Sequence, residues 1–192
     1  MSNITTVILA AGRSKRFKAK TSKLIYPLCG LPIISHVYSV AKKISGKKVV
    51  VVCNKENINE LKLILKDCVF VIQNQQRGTA DAIEQAKNKI NSKHVLVLFG
   101  DTPLITLSSI KKLIKKFISS KAKASLIAFR TQKPFGYGRL LIKNNVFEEI
   151  IEEINLNIYQ KKINLCNSGI LIAEKKILFE NMKNIKINRI KK

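Results

Sequence analysis

Long apolar runs are absent from this chain of 192 residues. No stretch has the ~18 consecutive apolar residues that a membrane-spanning helix needs. The apolar run at residues 7–11 is also too short for the apolar region of a secretory signal. We therefore expect a cytoplasmic protein with no membrane partner.

Cysteine pairs of the C-x-x-C type are missing too. The four cysteines (Cys29, Cys53, Cys68 and Cys166) are widely spaced, and the chain has only two histidines. A zinc site needs several such ligands at short spacings, so the sequence argues against one. Buried, reduced thiols are the expected state of these cysteines.

Acidic residues are scarce: 12 Asp and Glu stand against 36 Lys and Arg, a net charge of +24. Such a balance is compatible with nucleic-acid binding or with solvated lysine faces. The pattern at residues 107–119 favours solvated faces, because lysines and apolar residues occupy opposite sides of one helix. The lysines are Lys111, Lys112, Lys115 and Lys116; the apolar side is Ile110, Leu113, Ile114, Phe117 and Ile118. No specific nucleic-acid partner is expected, although a basic RNA-binding module stays an alternative.

Internal repeats and low-complexity linkers are also absent, which favours one domain over residues 1–184 followed by a basic tail, 185–192. Strand patterns cover residues 5–10, 48–53, 68–73, 94–99, 124–130 and 165–173. Helical patterns cover residues 32–44, 57–65, 79–90 (with Thr79 as N-cap), 107–119 and 175–184. Residues 137–142 and 146–152 predict a hairpin around Asn144 and Asn145. The alternation predicts an α/β fold with a mainly parallel sheet covered on both faces.

The first strand ends in small residues, Ala10, Ala11 and Gly12, and a cationic stretch with Arg16 and Lys23 follows. Small residues let backbone N–H groups approach an anion closely, and the cations add charge-assisted hydrogen bonds. The loop has neither the Walker spacing nor the three glycines of a dinucleotide-binding fingerprint. An anion site at the end of this strand is the prediction.

Two further strand ends carry polar residues, and in a parallel sheet they share one edge with Gly12. Asp101 suits a magnesium ion held against a triphosphate, or it caps the turn before Pro103. The amide of Gln73 suits the edge of a nucleobase, because it can both donate and accept hydrogen bonds, and Gly78 with Thr79 would expose backbone N–H groups. The alternative is that residues 73–80 form an ordinary polar loop. This edge is the predicted ligand site.

Carboxylate and amide groups near the hairpin form a separate set. Glu152 and Asn167 suit sugar hydroxyls, whereas Glu148, Glu149 and Glu153 read as a solvated strand edge. No second carboxylate is recognisably paired with Glu152, so glycoside hydrolysis is not supported.

Taken together, these motifs resemble one family. They are Leu9-Ala10-Ala11-Gly12 with Arg16 and Lys23; Gln73 with Gly78-Thr79; Gly100-Asp101-Thr102-Pro103-Leu104; Gly136-Tyr137-Gly138-Arg139; Glu152; and Asn167. In order and approximate spacing they resemble the uridylyltransferase domain of the bacterial bifunctional N-acetylglucosamine 1-phosphate uridylyltransferase/glucosamine 1-phosphate acetyltransferase. The resemblance extends from about residue 5 to about residue 179.

The resemblance implies a Rossmann-like nucleotidyltransferase fold and a role for each matched residue. Nucleotide would be bound by Leu9, Ala10, Ala11, Gly12, Gln73, Gly78 and Thr79; the triphosphate and leaving pyrophosphate by Arg16 and Lys23; Mg²⁺ by Asp101; and the sugar by Gly138, Glu152 and Asn167. The implied reaction transfers UMP from UTP to N-acetylglucosamine 1-phosphate, giving UDP-N-acetylglucosamine for peptidoglycan and lipopolysaccharide precursors.

Several features depart from that family. The sequence ends at Lys192, before the asparagine that would be the second Mg²⁺ ligand, and has no hexapeptide-repeat acetyltransferase domain; this predicts a truncated uridylyltransferase. Ser14-Lys15, Ser22 and residues 154–156 also differ from the usual pattern. Alternatives are an inactive nucleotide-binding remnant, or a related molybdenum-cofactor guanylyl- or cytidylyltransferase, which the Tyr137–Arg139 and Cys166–Gly169 motifs disfavour.

Overall fold

The computed structural model describes residues 3–12 and 22–183. The chain divides into two compact units: the first comprises residues 1–125 and 172–192, and the second residues 126–171. Arg16, Ser14, Lys15, residue 184 and the basic tail at 185–192 lie outside the described residues.

The elements follow the predicted alternation of strands and helices. The first unit contains β1 (Ile4–Leu9), β2 (Pro27–Leu28), β3 (Leu31–Pro32), α1 (Ile33–Ser45), β4 (Val49–Cys53), α2 (Ile58–Ile64), β5 (Val69–Ile72), α3 (Thr79–Ala86), β6 (His94–Phe99) and α4 (Leu107–Ser119). β7 (Ala124–Arg130) leads into the second unit, with β8 (Arg139–Lys143), β9 (Val146–Ile151) and most of β10 (Leu165–Glu174); α5 (Lys175–Met182) belongs to the first unit.

The core of the first unit is a parallel sheet in the order β5, β4, β1, β6. β4 is buried along its whole length, as its run of valines predicts for a strand covered on both faces. The chain moves from β1 outward through β4 to β5, and then crosses back to β6 on the other side of β1. The topological switch point, where such sheets bind ligands, therefore lies between β1 and β6.

Right-handed crossovers place α1 and α2 on one face of this sheet and α3 on the other. Within this unit, α1 packs against α4 and α3 packs against α5. The predicted α/β fold with a mainly parallel sheet is confirmed. Among the described residues, no helix combines the length and hydropathy that crossing a bilayer requires.

Helix α4 has the predicted division into two faces. Thr106 caps its first turn by accepting a hydrogen bond from the Ser109 N–H at 3.1 Å. All four lysines, Lys111, Lys112, Lys115 and Lys116, are exposed, so the predicted solvated face is confirmed. Ile118 is a correction: it was expected on the apolar side, but it is 59% exposed in the last turn of the helix.

In the second unit, β8 and β9 form the predicted antiparallel hairpin. Asn144 and Asn145 both have positive φ, 49° and 60°, as the tight turn of a two-residue hairpin requires. β10 pairs with β8 in antiparallel orientation, with Cys166 opposite Arg139.

The cysteines match the expectation only in part. All four are free thiols, and Cys53 and Cys166 are buried. Burial raises the pKa of the Cys53 thiol to about 11. Cys68 is half-buried, whereas Cys29 is exposed in the turn between β2 and β3, so burial was the wrong expectation for Cys29.

Candidate functional site

The carboxyl edge of the parallel sheet in the first unit brings the predicted nucleotide residues together. Ala10, Ala11 and Gly12 follow β1, Gln73 follows β5, and Asp101 follows β6. A backbone hydrogen bond of 2.9 Å from Gly100 N–H to the Leu9 carbonyl joins the loops on either side of the switch point. The shared edge expected from the sequence is therefore present.

The loop after β1 is held through its carbonyl groups. The Asn57 amide donates to the Ala10 carbonyl at 2.8 Å. The Ala11 carbonyl accepts two hydrogen bonds, from the amide of Asn54 at 3.1 Å and from the amide of Gln76 at 2.9 Å. Asn54 and Asn57 also bond to each other reciprocally: the side-chain oxygen of each accepts from the backbone N–H of the other. These bonds fix the orientation of both amides.

This arrangement decides where the N–H groups of the loop point. In a trans peptide the C=O of one residue and the N–H of the next point in opposite directions. Because Ala10 and Ala11 turn their carbonyls toward the amides, the N–H groups of Ala11 and Gly12 point away from them. A Cβ at Gly12 would meet no heavy atom of residues 3–12 and 22–183 within 4 Å, so none of these residues crowds the Cβ side of Gly12. Outward N–H groups suit an anion.

Lys23 and Asp101 form an ion pair at the same edge, with Nζ and Oδ2 3.2 Å apart. Lys23 begins a 3₁₀ turn, Lys23–Ile25, for which Ser22 is the N-cap: its hydroxyl accepts from the Leu24 N–H. The two side chains are 40% and 45% exposed. Pairs this exposed contribute only about 0–1 kcal/mol, so exchanging partners costs little.

Gln73 is buried behind the start of α3, with 5% of its surface exposed. Its amide nitrogen donates to the Gly78 carbonyl at 3.2 Å and to Asp81 Oδ2 at 2.6 Å. Gly78, not Thr79, is the N-cap of α3, which corrects the expected cap. Gly78 has φ of 113° and ψ of −176°, a conformation that only glycine adopts readily, so the helix entry depends on this glycine.

In the second unit, Gly138 and Asn167 are joined by a backbone hydrogen bond of 2.9 Å from the Asn167 N–H to the Gly138 carbonyl. The side-chain oxygen of Asn167 accepts from the Gly169 N–H at 2.9 Å. Glu152 follows β9 and is exposed. A Cβ at Gly138 would lie 2.9 Å from Ile150 Cγ2, so the close packing of the hairpin requires a glycine there.

Glu153 corrects the expectation of a solvated strand edge. It pairs with the fully buried Arg139 at 2.9 Å and also accepts from the Gly136 N–H at 2.8 Å. Arg139 donates further to the carbonyls of Ile163 and Tyr137. The hydrogen bond from Arg139 is the main cause that lowers the pKa of Glu153 below its ordinary value. The other two glutamates of that set, Glu148 and Glu149, are exposed as expected.

A family model described as MobA-like NTP transferase domain matches residues 6–155 of this chain. The chain belongs to this NTP transferase family. The matched range includes the loop after β1, the switch point, Gln73 and the hairpin of the second unit.

Curated relatives of this NTP transferase carry the name bifunctional protein GlmU. The one from Buchnera aphidicola subsp. Schizaphis graminum is 39% identical over 98% of this chain, which covers 41% of that protein. Those from Campylobacter fetus and Clostridioides difficile are 38% and 34% identical over 88% and 93% of this chain, covering 39% of each. The chain thus spans about two fifths of the length of these relatives.

Solved structures share the fold of the NTP transferase. A putative glucose-1-phosphate thymidylyltransferase from Bacillus anthracis superposes with a TM-score of 0.82 at 19% identity, covering 96% of this chain and 79% of that one. The CMP:2-keto-3-deoxy-manno-octonic acid synthetase complexed with CTP gives a TM-score of 0.75 at 16% identity, with the same coverage.

Four residues of this NTP transferase that shape the edge were missed from the sequence: Asn54, Asn57, Gln76 and Asp81. Asn54 had a usable signal, because it directly follows the buried strand β4 and such strand ends line the ligand edge. Asn57, Gln76 and Asp81 had none, since none of them follows a strand directly. Arg16, predicted to bind the triphosphate, lies outside the described residues.

Proposed function

We propose that this NTP transferase is a uridylyltransferase that transfers UMP from UTP to N-acetylglucosamine 1-phosphate. One observation carries the proposal: the loop after β1, with its carbonyls held by side-chain amides, and the exposed Lys23–Asp101 pair occupy the two sides of the switch point. The identity of 34–39% to bifunctional GlmU proteins over most of the chain supports the choice of nucleotide and sugar.

On the nucleotide side, the N–H groups of Ala11 and Gly12 would bind the phosphates, and Lys23 and Arg16 would neutralise their charge. Gln73, Gly78 and Thr79 would bind the base, and Leu9 would complete the loop. A phosphate oxygen of the sugar 1-phosphate attacks the α-phosphorus of UTP. The bond from the α-phosphorus to the bridging oxygen breaks, and pyrophosphate leaves with the electron pair. Positioning and charge neutralisation are the protein's contributions to such a reaction.

Magnesium fits this edge as an ion shared with the substrate. The described residues contain no group of three or more His, Cys, Asp or Glu side chains that could form a protein metal cage. Mg²⁺ commonly takes one or two carboxylates together with substrate phosphates and water, and Asp101 offers one exposed carboxylate. Asp101 would hold the ion, which would supply charge neutralisation on the triphosphate when bound.

On the sugar side, we assign Gly138, Glu152 and Asn167 of the second unit to the N-acetylglucosamine moiety. The carboxylate of Glu152 can accept hydrogen bonds from sugar hydroxyls, and the amide group of Asn167 can donate them. Gly138 would set the spacing of the hairpin beside Glu152, because only a glycine lets Ile150 pack this closely.

The test is pyrophosphate release from UTP and N-acetylglucosamine 1-phosphate in the presence of Mg²⁺, with GTP and CTP as competing donors. We expect turnover with UTP, and a loss of at least ~10-fold in kcat/KM for Lys23→Ala, because one charge-assisted contact is removed. Lys111→Ala, on the solvated face of α4, is the matched control and should leave the rate unchanged. UTP binding without pyrophosphate release would contradict the enzyme proposal and favour an inactive remnant. Preferred turnover of GTP or CTP would favour the molybdenum-cofactor class.

A further inference from the structure

The amide of Gln73 has a fixed orientation. Its two neighbours, the Gly78 carbonyl at 3.2 Å and the Asp81 carboxylate at 2.6 Å, can only accept hydrogen bonds. An amide placed with its oxygen toward them would bring three acceptors together. The nitrogen must therefore face inward, because only the NH₂ group of the amide can donate to both neighbours.

The oxygen of Gln73 is then the atom left for a ligand. No donor among residues 3–12 and 22–183 bonds to it, whereas both hydrogens of the amide nitrogen are engaged. Gln73 can thus accept a hydrogen bond from a base but has no free donor to offer. Uracil carries a hydrogen on ring nitrogen N3, and cytosine carries a lone pair at the same position.

We infer that Asp81 is a positioning residue that sets the base preference of the site through Gln73. By fixing the amide nitrogen inward, Asp81 makes the site select bases whose ring nitrogen is a donor. This inference rests on the proposed function, because it takes the loop after β5 as the base site. Asp81 also lies in the first turn of α3, where an acidic residue favours the helix, so the test separates the two roles.

Equilibrium binding of UMP, CMP and N3-methyl-UMP provides the test, because none of these measurements needs turnover. The wild type should bind UMP more tightly than CMP and N3-methyl-UMP. Asp81→Asn should lower the UMP-to-CMP affinity ratio about 5-fold. Asparagine can donate as well as accept, so it lets the Gln73 amide rotate and exchange the positions of its oxygen and nitrogen. The loss is partial because the Gly78 carbonyl still favours the original orientation.

Gln85→Ala is the matched control. Gln85 donates to the other carboxylate oxygen of Asp81 at 3.5 Å and is not among the hydrogen-bond partners of Gln73, so its removal should leave the affinity ratio unchanged. Equal weakening of UMP and CMP in Asp81→Asn would overturn the inference and leave the proposed function standing. Wild-type protein that binds N3-methyl-UMP as tightly as UMP would also overturn it, without any variant. Wild-type protein that binds neither UMP nor CMP would overturn the proposed function as well.

Discussion

Replacing Asn57 with alanine should lower the free energy of unfolding by about 3 kcal/mol. The side chain is 4% exposed and makes two hydrogen bonds: it donates to the Ala10 carbonyl at 2.8 Å and accepts from the Asn54 N–H at 3.0 Å. Each buried group left without a partner costs about 1–3 kcal/mol, so two groups cost about 2–6. We expect the lower half of this range because truncation to alanine leaves space in which a water can replace one of the two hydrogen bonds.

Loss of a helix cap does not enter this sum. Asn57 precedes α2, but its side chain makes no capping hydrogen bond to that helix. The predicted fall in the free energy of unfolding therefore measures how strongly the hydrogen bonds of Asn57 stabilise the loop after β1. For a chain of this size, about 3 kcal/mol corresponds to a fall in Tm of roughly 6–12 °C.

Urea unfolding followed by circular dichroism measures the change, with the slope m compared between proteins to confirm that the transition is the same. Asn88→Ala serves as the control, because Asn88 is exposed and surface substitutions stay within about 0.5 kcal/mol. Equal urea midpoints for the two variants would show that the hydrogen bonds of Asn57 do not stabilise the loop after β1. A weaker affinity for UMP in Asn57→Ala alone is the accompanying expectation from the proposed function.

Three further expectations concern other parts of the chain. Gly138→Ala should destabilise the protein by about 1–3 kcal/mol in urea unfolding, because the new methyl group would lie 2.9 Å from a stiff, β-branched neighbour, Ile150; adding Ile150→Ala should restore part of the loss. The lowered pKa of Glu153 means that its contribution to stability is present above the unfolded value near 4.5 and is lost as the pH falls through the lower folded value. Glu153→Gln should flatten that acid part of the stability profile, and an unchanged profile would refute the pairing. At pH 8, a thiol reagent should modify the exposed Cys29 rapidly and Cys53, with its pKa near 11, only on unfolding.

The sheet was predictable because each of its longer strands has a recognisable local sequence pattern. Val49 to Val52 form an uninterrupted β-branched run, and the side chains of such a run fit a strand covered on both faces. The short hairpin of β2 and β3 was missed because two-residue strands carry no periodic signal. Periodicity also placed Ile118 on the apolar face of α4, but it cannot say how far along the helix the neighbouring elements extend.

The positions of the candidate site were predictable, but the contacts within it were not. Strand ends locate Gly12, Gln73 and Asp101 on one edge, whatever their partners are. The partners lie far apart in the chain: 78 residues separate Lys23 from Asp101, and 65 separate Gln76 from Ala11. Local patterns carry no information at such separations.

The net charge of +24 explains less of the site than its uncharged hydrogen bonds do. Exposed lysines, as on α4, are screened beyond about 8–10 Å at ordinary ionic strength, so they attract anions without selecting among them.

Selection among ligands comes from the hydrogen-bonding atoms that the protein leaves without a partner. Asn57 and Asn54 occupy the carbonyls of Ala10 and Ala11, which leaves N–H donors outward, where a phosphate would lie. Asp81 occupies the nitrogen of Gln73, which leaves an acceptor for the base. The two ends of the proposed nucleotide site therefore have opposite hydrogen-bonding polarity. Substitutions at the two ends should act on different parts of the ligand: Asn57→Ala on any nucleotide equally, and Asp81→Asn on the choice between bases.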